Sequence, residues 1–182
     1  MKARIPTHQI LARFTPVTDN AHRWPGSLDA RKARSAALRD AVKLLAPFIG
    51  RDQFMTIRDA ARGEEGDWFI AKLIELAAHI RTMPHSYQTD GQGDAALAQL
   101  HYFTGSCDWF ITEKDMGAPD DEDDSQQQAF GLARIHEEEL GYISIEELIG
   151  CGAELDLHWK VKPITECREG YVKPPRLDSN AA

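Results

Sequence analysis

A chain of 182 residues with 42% hydrophobic content can bury one ordinary core, or one core with an appended segment, but not two. Its formal net charge of -8 conceals a split, because residues 1–62 hold twelve Lys and Arg against five carboxylates and the remainder holds nine against twenty-four. No apolar run approaches the roughly 18 residues of a membrane span, which excludes an integral helical membrane protein.

The first residues lack the apolar stretch and cleavage site of a signal peptide, so a cytoplasmic protein is expected. Cys107, Cys151 and Cys167 are odd in number and have no CxxC spacing, so free thiols are expected in place of a disulfide framework or a zinc knuckle. Residues 5–17 hold a short β-prone run that Pro6 and Pro16 confine to an edge. Ser27 can cap a helix over 28–46, with Leu38, Ala41, Val42 and Leu45 on its apolar face and Pro47 and Gly50 at its end. Lys32, Arg39 and Lys43 fall together on another face, and with Arg31 and Arg34 they make a basic stripe suited to phosphates.

A short helical turn is expected at Thr56–Asp59, stopped by Gly63. Asp67 should cap a helix over 67–82 that buries Phe69, Leu73, Leu76, Ala77 and Ile80. Trp68 then falls on the polar side with Lys72, Glu75 and His79, which makes its indole a candidate partner contact. Residues 84–94 are rich in turn formers and should be an ordered loop feeding the next element.

That element, Leu97–Asp115, is the clearest in the chain: two runs rich in aromatic and β-branched residues flank Thr104–Cys107, as in a β-hairpin. If Trp109 and Ile111 point into the core, period two sends Glu113 and Asp115 to the same face, where Glu113 must find donors. Backbone amides or a basic side chain from 1–62 would supply them. Asp120, Asp121, Glu122, Asp123 and Asp124 follow as a run that cannot bury and should be a mobile acidic loop. Strands at 126–135 and 139–143 come next, then a helical turn capped by Ser144. Residues 153–161 alternate most cleanly, with Leu155, Leu157, Trp159 and Val161 on one face and Glu154, Asp156, His158 and Lys160 on the other. Order is expected to decline from 164 to 182.

A cluster of His101, Glu113, Glu139 and Asp156 is the available case for an enzyme, since a His and carboxylates on adjacent strands could hold a metal or divide acid and base roles. No HExxH, Walker loop or GxSxG accompanies it, and the glycines at 91 and 93 follow no expected strand. Strand parity also sends Asp156 to solvent while Glu113 points inward, so the four are not expected to converge, and no catalytic residue, metal or cofactor is assigned.

The residues from 97 to 163 resemble the DUF2958 family of bacterial, often plasmid-borne proteins whose activity is not established. The resemblance rests on Trp109–Asp115 with Glu113, on Phe130-Gly131, on Glu139–Ser144 with Gly141 and Tyr142, and on Glu154–Leu157 with Asp156. It implies a function tied to mobile elements and carries no catalytic residue across. The chain therefore reads as an α+β protein: a basic segment 1–62 with an amphipathic helix, a 63–163 domain with a small antiparallel sheet and helices packed on one face, and a 164–182 tail. The expected function is a non-enzymatic interaction protein, a mobile-element accessory or anti-defence factor, that meets a basic protein or nucleoprotein partner through its acidic run and Trp68. Direct nucleic-acid binding through the N-terminal basic stripe is the first alternative and a metal-dependent hydrolase the second.

Overall fold

The computed structural model describes residues 24–117 and 125–169. The expectations for 5–17, for Asp120–Asp124 and for the tail beyond 169 lie outside the described residues. The fold is α+β, with helices first and two antiparallel sheets after them.

Helix α1 spans Leu28–Leu45, and the Ser27 hydroxyl accepts the Ala30 amide at 3.3 Å, supplying one orphan donor of the first turn. It buries Leu38, Ala41, Val42 and Leu45, as its periodicity predicts. Helix α2 covers Arg51–Ala60, so the turn expected at 56–59 is the second half of a longer helix that begins directly after Gly50. Helix α3 covers Gly66–Thr82 and buries Ile70, Leu73, Ala77 and Ile80. Asp67 is not its cap: the helix begins at Gly66 without a side-chain cap, and the Asp67 carboxylate takes the Arg34 guanidinium at 2.9 Å.

Five strands form the main sheet in the order β5-β4-β3-β2-β6: Leu100–Thr104 (β2), Cys107–Glu113 (β3), Ala129–Arg134 (β4), Glu138–Ile143 (β5) and Glu154–Leu155 (β6). A second sheet of two residues each joins β1 (Leu97–Ala98) to β7 (Lys162–Pro163). In the β2–β3 hairpin Thr104 pairs with Cys107, leaving Gly105-Ser106 as the loop, and Gly105 adopts φ +55 where a tight hairpin turn favours glycine. Helix α4 (Ile145–Gly150) starts at Ser144, whose hydroxyl accepts the Glu147 amide at 3.2 Å.

Period two sorts the sheet. Leu100, Tyr102, Trp109, Ile111, Ala129, Ile143 and Leu155 face α1 and α3 in one continuous apolar core, so the N-terminal helices and the sheet are a single packing unit with no boundary at 62. Tyr102 lies at its centre, fully buried, with its hydroxyl donating to the Phe48 carbonyl at 2.7 Å. Burial pushes its ionisation well above the ordinary phenol value of 10.0. Between pH 10 and that higher value the unfolded chain sheds this proton and the folded chain keeps it, so stability falls with rising pH. Tyr102→Phe should lose about 1–2 kcal/mol near neutrality and show a shallower loss of stability above about pH 10 than the parent. Urea unfolding at stepped alkaline pH checks both.

The opposite face is covered too, which the sequence expectation of helices on one face omitted. Helix α5 (Ile164–Arg168) turns back after β7, and Ile164 and Cys167 pack on Ala98, Phe110 and Leu132. The segment from 164 to 168 is thus an ordered helix in place of the expected start of a tail, because Ile164 and Cys167 supply the apolar contacts that docking needs. The strand expected at 153–161 ends at Leu155. Asp156 closes a turn there, accepting the His158 amide on its side chain at 2.9 Å and the Trp159 amide on its carbonyl at 3.3 Å. Trp159 is thereby carried to the second face, where its indole N–H donates to the Ala98 carbonyl at 2.9 Å, and Val161 is left exposed.

Candidate functional site

Two clusters of polar and aromatic side chains lie on this second face. The first centres on His101 of β2. Its Nε2 lies 2.9 Å from Asp108 Oδ1 and its Nδ1 lies 3.2 Å from Asp156 Oδ2, while its ring stacks on Phe110 at 4.8 Å and touches Trp159 at 4.9 Å. Asp156 does point away from the Leu155 core side, as parity predicts, but that direction leads to His101 and not to solvent, since the Asp156 amide also bonds the His101 carbonyl at 2.8 Å. Arg134 continues the chain of charge: it pairs with Glu138 at 2.7 Å, approaches Asp108 at 3.7 Å and donates to the Cys167 carbonyl. Arg168 closes it, with Glu138 at 2.8 Å and Asp94 at 3.0 Å. Burial alone would lower the Arg168 guanidinium, but its bonds to Asp94 and Glu138 outweigh that and hold it above its ordinary range.

This network does structural work that can be read directly. It ties β2, β3, β4 and β5 to the 156–168 segment, and both nitrogens of His101 are occupied by carboxylates, so neither is presented to a substrate. Glu113 and Glu139 do not join it. Among the described residues no group of three or more His, Cys, Asp or Glu side chains is arranged to hold a metal ion.

The second cluster occupies the far end of the same face, and a bulge creates it. Ile111 pairs with Gly131 but Glu113 pairs with Phe130, so Thr112 is an extra residue and the strand's parity reverses beyond it. Glu113 therefore does not share a face with Trp109 and Ile111, contrary to the period-two expectation. It is 3% exposed, and the 84–90 loop supplies its donors: the Tyr87 amide at 2.7 Å, the Thr89 amide, and the Thr89 hydroxyl at 2.6 Å. Backbone amides thus satisfy the carboxylate. The clamp holds Tyr87 at φ +74, a conformation that costs a non-glycine residue energy.

The consequence is an exposed aromatic row. Tyr87 meets Tyr142 edge to face at 6.3 Å, and Tyr142 meets Phe130 in the same manner at 5.5 Å. Both tyrosines are largely in water, at 63% and 59% exposure. A side-chain hydrogen bond with Tyr87 raises the Tyr142 hydroxyl above its ordinary value. Asp115 sits beside the row and clips the base of the acidic segment: its carboxylate accepts the Gly117 amide at 2.9 Å, the Gln127 amide at 3.1 Å and the Gln128 amide at 2.8 Å. These bonds join the described residues on either side of 118–124.

The remaining sequence candidates separate. Lys32, Arg39 and Lys43 are exposed on α1. Arg31 and Arg34 are half-buried and leave the stripe; Arg34 bonds Asp67 and lies over the Trp24 ring at 5.0 Å. Trp68 is 41% exposed and its indole stacks on His158 at 5.1 Å, so the turn after β6 covers part of it. Glu139 and Glu154 are exposed on the two edge strands, Gly141 sits in β5, and Trp109 is in the core.

Sequence reasoning missed Tyr87, Asp108 and Arg134, and named Phe130 only through the family resemblance. The pairing Asp108↔Arg134 in the strand register is a signal that alternation could have supplied, but Tyr87 depends on a backbone conformation that no local pattern announces. No helix among the described residues is long and apolar enough to cross a membrane. Comparison of the chain with family models, with curated proteins and with solved structures found no match.

Proposed function

We propose that this chain is a non-enzymatic interaction protein whose partner is a basic protein or nucleoprotein, engaged by the acidic run Asp120–Asp124 and by the end of the sheet that carries Tyr87 and Tyr142. One observation carries the reading. From Asp115 to Glu147 there are eleven carboxylates against a single Lys or Arg, Arg134, and that arginine is spent on Glu138. A stretch of sequence this acidic, with the exposed Tyr142 within it, suits a basic face, since tyrosine gives contact area at low entropic cost and opposite charge raises the encounter rate. The same array could occupy a groove built for DNA phosphates, and the DUF2958 resemblance of residues 97–163 makes a mobile-element accessory or anti-defence role the natural setting.

The test measures association rates with the basic partner once it is recovered. Replacing Asp120, Asp121, Glu122, Asp123 and Asp124 by Asn and Ser should slow association by about tenfold at low salt, with the difference fading as salt rises. An unchanged rate, or a partner with an acidic contact face, would remove the reading.

The exposed stripe of Lys32, Arg39 and Lys43 favours a second reading, direct nucleic-acid binding, because no ion pair within the described residues occupies these three. The whole chain is the proper reagent, since α1 buries Leu38, Val42 and Leu45 in the shared core. It should retard duplex or single-stranded DNA at about 50 mM salt, and Lys32, Arg39 and Lys43 changed together to Ala should abolish the shift. No retardation at that salt disposes of this alternative.

A further inference from the structure

Among the described residues strand β5 ends the five-stranded sheet: β4 is its one partner strand, and no backbone hydrogen bond from another described residue reaches Glu138–Ile143 on its outer side. Proteins blunt such edges with proline, lysine, bulges or very short strands, because an open edge recruits any passing strand. β5 has none of these. It is six residues long, contains neither proline nor lysine, and pairs with β4 in unbroken register from Ala129↔Ile143 to Arg134↔Glu138. Among the described residues its protection is charge. Glu139 is exposed near its start, and it repels a second acidic strand while attracting a basic one.

The side chains along the edge make the preference more specific. Register places Leu140 and Tyr142 on the face of Leu132 and Phe130, and Glu139 and Gly141 on the other. No described residue lies within 4 Å of the position that a Gly141 side chain would fill, so the face beside this part of the edge is open. A strand laid along β5 would offer every second residue to Tyr142 and Leu140 and the residues between to Glu139.

Resting on the basic-partner reading, we propose that β5 takes an extended basic segment as a sixth strand, one in which Lys or Arg alternates with β-branched or aromatic residues, and that Tyr142 seats its apolar side chains. A second copy of this chain is the disfavoured occupant, because Glu139 on the edge of one copy would meet the same acidic edge on the other.

Two labelled decapeptides of equal charge test this by fluorescence anisotropy at low salt, one alternating Lys with Val and one alternating Lys with Pro, which cannot form a ladder. The Lys-Val peptide should bind and slow amide exchange over residues 138–143, and the Lys-Pro peptide should bind about tenfold or more weakly. Tyr142→Ser and Glu139→Lys, both at exposed positions, should each weaken the Lys-Val peptide by about tenfold without lowering the melting temperature. Equal binding of both peptides overturns strand addition and leaves the basic-partner reading intact. Failure of both to bind overturns the two together. A dimer of the free chain that Glu139→Lys dissolves would overturn the proposal by giving the edge to a second copy.

Discussion

Gly131→Ala should destabilise the fold by about 3–5 kcal/mol, a large share of the 5–15 kcal/mol that holds an ordinary domain together. A Cβ at position 131 would lie 2.1 Å from the Phe110 carbonyl oxygen and 2.9 Å from the Ile111 Cα, and both are backbone atoms of β3. No rotamer change relieves such a clash, so β3 and β4 would have to separate in the middle of the sheet. Gly141, its partner across the β4–β5 ladder, is the control. No described residue stands within 4 Å of its added Cβ, and Gly141→Ala should be neutral within about 0.5 kcal/mol. Urea unfolding of the two variants gives the comparison, and similar midpoints would contradict the close approach of β3 and β4.

Glu113→Ala should cost about 3 kcal/mol, because it leaves two loop amides and the Thr89 hydroxyl without the acceptor that they share in a site 3% open to water. Its effect should also have an address. Residues 84–90 are held to the sheet by this carboxylate, by the Ser86 hydroxyl on the Gln128 carbonyl at 2.8 Å, and by the backbone bond from Ser86 to Lys114 at 2.9 Å. Limited proteolysis should therefore cut first within this loop in the variant, before the helices are touched. Cleavage elsewhere first would mean that Glu113 supports the whole sheet more than the loop, and the Tyr87–Tyr142 contact would then owe little to it.

The helices and the central strands were legible because each repeats its period long enough to outweigh local noise. α1 shows this best: Ser27, Leu38, Val42 and Leu45 are where a 3.6-residue repeat and a capping rule put them. The candidate site was harder to read because it depends on departures from those periods. One extra residue, Thr112, turns Glu113 to the face of Phe130, and one turn at Asp156 carries Trp159 off the strand that its alternation implied. Alternation in 153–161 was real as a pattern, yet the chain used it for a two-residue strand and a turn, in which the Asp156 side chain accepts the His158 amide in place of a ladder bond. The acid at 113 was correctly expected to seek backbone amides. Their source, the 84–90 loop, is a long-range contact that strand parity does not encode.

The side-chain amide of Gln53 bears on how the chain reaches this structure. It donates to the Leu155 carbonyl at 2.7 Å and accepts the Leu155 amide at 3.0 Å, so a residue of α2 behaves as one rung of a strand for β6, across 102 positions of sequence. Trp159 reaches back to Ala98 across 61 positions, and Arg168 to Asp94 across 74. The contacts that seal both sides of the sheet therefore join its most separated parts, and their loop-closure entropy is met late, after local helices and the hairpin have formed. Refolding from denaturant should accordingly be slow at its last step, with α1 and the β2–β3 hairpin protected from exchange before β6 and α5 close over them. Until that step, the Phe110 and Leu132 face stands open, and concentration-dependent association of the intermediate would be its kinetic signature.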